Sequence, residues 1–172
     1  MNPEAKKRKK LRRNSLNSLN LRRAPELPSE AMTGPVLGLD LGTRRIGLAI
    51  SNPEATLAFP AGHLDRVGGK RDLETLCGLV REREISCIVV GLPIHMDGRS
   101  GKAAESARAF ARALAKATEK PVEMMDERWT SLEAERSLRE APRAKKRQKG
   151  NVDAVAATLL LRTWLERQVG RS

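Results

Sequence analysis

The run Ile85–Val90, in which Ser86 is the one polar residue, constrains the fold of this chain more than any other segment. It lacks the alternation of apolar and polar residues that a half-exposed strand shows, so a strand formed here must be covered on both faces. A helical apolar stripe from Leu73 to Val80 precedes the run, and an Ala-rich helix follows from about Lys102 to Lys120. This alternation predicts an α/β fold whose sheet is covered by helices.

Further strands are predicted on both sides of this run. Val36–Asp40 and Ile46–Ser51 flank a Gly-Thr-Arg-Arg turn and predict a hairpin, with a third strand between Thr56 and Leu64. Pro121 ends the Ala-rich helix, and Val122–Met125 directly after it is predicted as the last strand. The predicted sheet is therefore mixed and five-stranded, with three antiparallel strands extended by two parallel strands. Two helices complete the prediction, from Thr130 to about Glu140 and from about Asn151 to Gln168.

Positive charge is concentrated outside this predicted core. The formal net charge is +12; residues 1–34 hold nine Lys/Arg against three Glu, and residues 143–149 hold five cations without an acid. The first segment has too few apolar residues to offset the entropy of ordering. We therefore expect a basic disordered arm at residues 1–34, followed by a single domain at residues 35–169. Charge placed in tails and loops indicates a polyanionic partner, of which nucleic acid is the common one.

Composition excludes several other classes of protein. The two cysteines, Cys77 and Cys87, lie in apolar stretches, which argues against a disulfide framework or a cysteine metal site. No apolar run approaches the roughly 20 residues of a membrane span, and the basic start leads into polar residues, unlike a signal peptide. The expected compartment is the cytoplasm. Aromatic residues are too scarce for a base-stacking platform.

Acidic residues at the ends of the apolar segments are the candidates for chemistry. Asp40 ends the first strand, Asp126 and Glu127 end the last strand, and Asp153 lies in the first turn of the last helix, on its apolar face. Each has an ordinary explanation, as a turn residue, a polar linker or a charge favoured by the helix dipole. Together they predict a carboxylate triad for Mg²⁺ or Mn²⁺. Adjacent residues of a strand point to opposite faces, so one of Asp126 and Glu127 is expected to reach the site, and the sequence leaves open which.

Four segments in this order resemble the signature blocks of the YqgF family, also called RuvX. The resemblance covers about Val36 to Gln168 and implies an RNase H-like fold with a Holliday-junction-resolvase-like nuclease activity. Bacterial members of the family are assigned to maturation of the 5′ end of pre-16S rRNA. The resemblance implies that Asp40, the Asp126–Glu127 pair and Asp153 are catalytic and bind two divalent ions. The segments are DLGTRRIGLAIS, VVGLPIHMDG, DERWTSLEAE and NVDAVAA.

This chain departs from the usual family pattern in three places. Asn52 follows Ser51 where many relatives have Asp, WTS follows the DER block where TT is common, and the basic arm is an addition. None of the three removes an acid of the triad.

Cations near the acids are expected to bind phosphates of the nucleic acid. They fall in the first turn, beside the acidic pair and before the last helix, where they surround the predicted carboxylates. The candidates are Arg44, Arg45, Arg128, Lys145, Lys146, Arg147 and Lys149. The Gly- and Pro-containing loop 91–101 is a further candidate for phosphate binding, through its backbone N–H groups.

Three alternatives remain open at this point. A Holliday-junction resolvase acting on DNA would use the same triad, and the sequence does not decide between a monomer and a homodimer. A non-catalytic nucleic-acid-binding protein of transcription or ribosome assembly would bind with strong salt dependence but without need of the acids. In either case the basic arm is a candidate tether to RNA or ribosomal particles. DLGT also resembles the phosphate-binding turn of actin-like ATPases and sugar kinases, which pair two domains where this chain offers one.

Overall fold

The computed structural model of the chain describes residues 34–94, 101–126 and 149–169. Five strands and three helices occur within these ranges. In chain order they are β1 (Val36–Leu41), β2 (Arg45–Ser51), β3 (Ala58–Asp65), α1 (Gly69–Glu82), β4 (Cys87–Leu92), α2 (Lys102–Thr118), β5 (Val122–Asp126) and α3 (Lys149–Val169).

The strands form one mixed sheet in the order β3-β2-β1-β4-β5. Strand β1 pairs antiparallel with β2, and β2 pairs antiparallel with β3. Strand β4 runs parallel to both β1 and β5, and helices α1 and α2 supply the crossovers before each of the two parallel strands. This arrangement confirms the predicted five-stranded mixed sheet.

Strand β4 lies at the centre of the core, as its apolar run requires. All six of its residues are buried, and Ile88, Val89 and Val90 are fully buried. Helices α1 and α2 cover one face of the sheet, where Leu76 and Leu114 pack with Leu39 in a single cluster. Burial of this cluster contributes about 25 cal/mol for each Å² of apolar surface removed from water.

Helix α3 covers the other face and contacts β1, β2 and β3. Two glycines allow its close approach to the sheet. A Cβ at Gly38 would lie 2.8 Å from the Cβ of Leu161, and a Cβ at Gly47 would collide with the carbonyl oxygen of Asp153. The sheet therefore holds the first turns of α3 directly against β2.

The element boundaries differ slightly from the predicted ones. Helix α3 begins at Lys149, two residues before the predicted N-cap Asn151. Helix α2 ends at Thr118 because Glu119 adopts a left-handed conformation, with φ 55°, and its N–H donates to the Ala115 carbonyl. The predicted arm at residues 1–34, apart from its last residue, and the predicted helix near residues 130–140 lie outside the described residues. No helix in the described part of the chain is long and apolar enough to cross a membrane.

Candidate active site

Asp40 and Asp153 meet on the face of the sheet that α3 covers. Asp40 is the cross-strand partner of Gly47 in the register between β1 and β2. Because Gly47 has no side chain, the backbone of Asp153 can rest on that position. The structure thereby brings together two of the acids predicted from sequence, one from the first strand and one from the last helix.

The surroundings of Asp40 disfavour its charged form. Burial, and then the negative charge of Asp153, raise the pKa of Asp40 above its ordinary value of 3.8. Both side chains are half-buried, so water screens their repulsion only in part. Two acidic groups held together in this way are suited to a shared cation, and carboxylate oxygens are the ligands that Mg²⁺ prefers.

Arg45 lies between Asp153 and a further acid on the edge strand. Its Nε donates to Oδ1 of Asp65 at 3.0 Å, and its Nη1 lies 3.8 Å from Oδ2 of Asp153. Arg45 and Asp65 are direct cross-strand partners of β2 and β3, and Nε2 of His63 lies 3.9 Å from the same Asp65 oxygen. Arg45 is predicted from the sequence as a phosphate-binding residue, whereas Asp65 is not among the predicted site residues. Only the register of the edge strand identifies Asp65, and that register is set by pairing rather than by local pattern.

Arg66 holds the turn between β1 and β2 in place, a role that no local pattern in the sequence indicates. The Arg66 Nη1 donates to the Gly42 carbonyl at 2.9 Å, and its backbone N–H donates to the Arg44 carbonyl at 3.0 Å. Asp72 is 1% exposed and accepts from the Arg66 Nε at 3.4 Å. Arg44, a predicted phosphate-binding residue, is exposed in this turn.

Asp126 does not lie beside Asp40, because β4 separates β5 from β1. Its register partner is Leu92, which packs against Ala104 and Ala107 of α2. Residues paired across parallel strands share a face, so Asp126 belongs to the α2 side of the sheet, opposite to the side of Asp40 and Asp153. Strand β4 is buried on both faces and lies between β1 and β5, so β5 is left at the edge of the sheet.

Of the other predicted site residues, the structure describes only Lys149. Lys149 is the first residue of α3, and the remaining candidates lie outside the described residues. These candidates are Glu127, Arg128, Lys145, Lys146 and Arg147. Within residues 34–94, 101–126 and 149–169, no three His, Cys, Asp or Glu side chains are grouped as a metal site would need. Among the described residues, the structure therefore brings together two of the predicted acids, Asp40 and Asp153, without a third.

Comparison with known proteins assigns the chain to a family. The sequence pattern of the RuvX family, described as Holliday junction resolvase, matches residues 34–167. The chain belongs to the RuvX family. A relative from Anaeromyxobacter sp. (strain Fw109-5) is 45% identical over 130 residues, which are 76% of this chain and 95% of that protein. Another, from Koribacter versatilis (strain Ellin345), is 44% identical over 138 residues, covering 80% and 90%. Both carry the name "Putative pre-16S rRNA nuclease".

Solved structures agree with the RNase H-like fold that the family resemblance implies. RuvC of T. thermophilus, solved in complex with a Holliday junction substrate, superposes with a TM-score of 0.55 at 14% identity. The superposition covers 80% of this RuvX-family chain and 96% of RuvC. A structure of Thermus thermophilus RuvC alone gives a TM-score of 0.51 at 13% identity. At this identity the likeness is one of fold.

Proposed function

We propose that this RuvX-family protein is a metal-dependent endonuclease that hydrolyses phosphodiester bonds during maturation of the 5′ end of pre-16S rRNA. The observation that carries the proposal is the meeting of Asp40 and Asp153 in one half-buried place, within a chain of net charge +12. An acidic site in a basic protein suits a phosphodiester substrate, because the cations neutralise phosphates while the acids hold metal ions. The names of the relatives support the choice of RNA.

The two described acids fit a divalent cation. Their mutual repulsion and partial burial, which raise the pKa of Asp40, are relieved by bound positive charge. We assign the third carboxylate to Glu127 rather than Asp126, because the register gives Asp126 to the α2 side of the sheet. Asp40, Glu127 and Asp153 would then hold Mg²⁺ or Mn²⁺, with two ions as the expected number.

Each of these residues has a definite part in the proposed reaction. Bound divalent ions would supply an activated water and stabilise the leaving oxygen. Arg44, exposed in the tethered turn, would bind a phosphate next to the bond that is cut. Arg66 and Asp72 would hold that turn in place relative to Asp40. The products expected of an RNase H-like nuclease are a 5′-phosphate and a 3′-hydroxyl.

Resolution of four-way DNA junctions is the second candidate function. The description of the matching family and the fold shared with RuvC both favour it. The same acids would serve either reaction, so the substrate has to be decided by experiment. The contact with ribosomal particles that rRNA maturation implies is part of the first candidate only.

The test is cleavage of labelled pre-16S rRNA fragments and of a four-way DNA junction in Mg²⁺ or Mn²⁺. We expect the RNA to be cut, and Asp40→Asn or Asp153→Asn to lower the rate by about 100-fold or more, beyond the 10–100-fold typical of residues that only support metal ligands. Glu74→Gln, an exposed charge change on α1, is the matched control and should cut normally. Cutting of the junction alone would favour the resolvase. Metal-independent binding without cutting of either substrate would contradict the proposal.

A further inference from the structure

Arg45 is shared between two acids that differ in their expected roles. Its guanidinium lies 3.0 Å from Asp65 and 3.8 Å from Asp153, the second distance being at the outer limit of an ion pair. Arg45 is 39% exposed, Asp153 34% and Asp65 71%. The closer contact is therefore made to the more exposed acid, and the predicted metal ligand is only loosely paired.

The fork geometry of arginine explains how one side chain reaches both acids. Its Nε and terminal nitrogens point in different directions from one rigid plane, so Nε can serve Asp65 while Nη1 faces Asp153. Cross-strand pairing of β2 and β3 fixes Asp65 opposite Arg45. A surface pair of this kind adds little to stability. Its effect is to set where a positive charge sits relative to Asp153.

We infer that Arg45 is the counter-ion of Asp153 in the metal-free protein, competing with a divalent cation for that carboxylate, and that Asp65 is a positioning residue that limits the competition. This inference rests on the proposed metal site. Asp65 draws the guanidinium toward itself, which leaves Asp153 available to the metal. Once Asp153 binds a cation, the charge of Arg45 is free to act on a phosphate of the nucleic acid. Metal binding and nucleic-acid binding are then coupled through one side chain.

The experiment measures Mn²⁺ binding to the full chain without nucleic acid, by calorimetry and by the electron paramagnetic resonance signal of free Mn²⁺. Removing a unit charge several Å from a divalent ion changes its affinity by up to about tenfold, so Arg45→Gln should tighten Mn²⁺ binding by several-fold to tenfold. Arg45→Lys keeps the charge, and its Mn²⁺ affinity should lie between that of Arg45→Gln and that of the natural protein. Arg44→Gln, the same charge change in the neighbouring exposed turn, is the control and should have a smaller effect.

Asp65→Asn supplies the sharper test, because its effect should depend on Arg45. Alone, it should weaken Mn²⁺ binding by a few-fold, since Arg45 then serves Asp153 only. In the double variant with Arg45→Gln, the affinity should equal that of Arg45→Gln. Equal effects of Asp65→Asn with and without Arg45, or no tighter binding by Arg45→Gln than by Arg44→Gln, would overturn the inference while leaving the metal site intact. Absence of Mn²⁺ binding by the natural protein would instead refute the proposed function, and this inference with it.

Discussion

Asp40 shows at the residue scale how a functional charge opposes folding. Its pKa is raised above 3.8 in the folded chain by burial and by Asp153, so folding without metal disfavours the ionised form. The folded state then holds its proton to higher pH than the unfolded state. The favourable contribution of the protonated acid is present below the unfolded pKa and is lost as pH rises toward the folded pKa.

Asp40→Asn should therefore stabilise the metal-free protein near neutral pH. We expect a gain on the order of 1 kcal/mol in the free energy of unfolding, the usual size when a strained active-site group is replaced. The gain should shrink as pH falls toward 3.8, where the natural acid is protonated as well. Urea unfolding with a chelator at pH 7.5 and at pH 4 measures both quantities. A variant less stable than the natural protein at pH 7.5 would contradict the raised pKa.

The acidic pair after β5 gives the second prediction at this scale. If Glu127 is the third ligand, Glu127→Gln should lower cleavage by about 100-fold or more, and Asp126→Asn should lower it by less than the 10–100-fold of a supporting residue. Rates measured at saturating Mn²⁺ and at limiting Mn²⁺ separate lost affinity from lost chemistry. The opposite ranking of the two variants would show that Asp126 turns to the α3 side when metal binds.

At the scale of elements, the sequence predicts what local patterns determine and misses what pairing determines. Periodicity and turn residues predict the apolar run of β4, the hairpin of β1 and β2, and the helices that precede and follow β4 in the chain. The place of β5 at the sheet edge and the face given to Asp126 depend on register between distant strands, which no local pattern encodes. The pairing of Arg45 with Asp65 is unpredictable for the same reason.

Gly47 is the position where the packing of two elements decides the site. A Cβ there would collide with the Asp153 carbonyl, so Gly47→Ala should push the start of α3 away from β2. Overpacking of this kind costs about 1–3 kcal/mol and should also separate Asp153 from Asp40, with loss of cleavage. Gly78→Ala on α1 is the matched control: its Cβ would meet nothing within 4 Å, and removing a mid-helix glycine should stabilise by about 0.5–1 kcal/mol. Thermal unfolding and cleavage of both variants test the contrast, and a fully active Gly47→Ala protein would refute the packing argument.

At the scale of the whole molecule, positive charge and chemistry are divided between different parts of the chain. The acids that meet in the site belong to the sheet and to α3, whereas residues 1–34 alone carry nine Lys/Arg against three Glu. Charge of this kind raises affinity and association rate for nucleic acid without selecting a sequence. The N-terminal segment is therefore expected to govern how strongly the substrate is held. The acidic site is expected to govern where the substrate is cut.

Deletion of residues 2–34 separates these two contributions. Each phosphate contact on a single strand adds about 0.7 to the steepness of log affinity against log salt, so loss of about three contacts should reduce the slope by about 2. We expect weaker RNA binding at low salt, a smaller difference at high salt, and an unchanged rate of cleavage once substrate is saturating, because the acids remain. Binding titrations from 50 to 300 mM KCl, with single-turnover cleavage at saturating enzyme, measure both effects. An unchanged slope would show that the basic segment does not contact the nucleic acid, and a slower saturated rate would place part of the catalytic function within it.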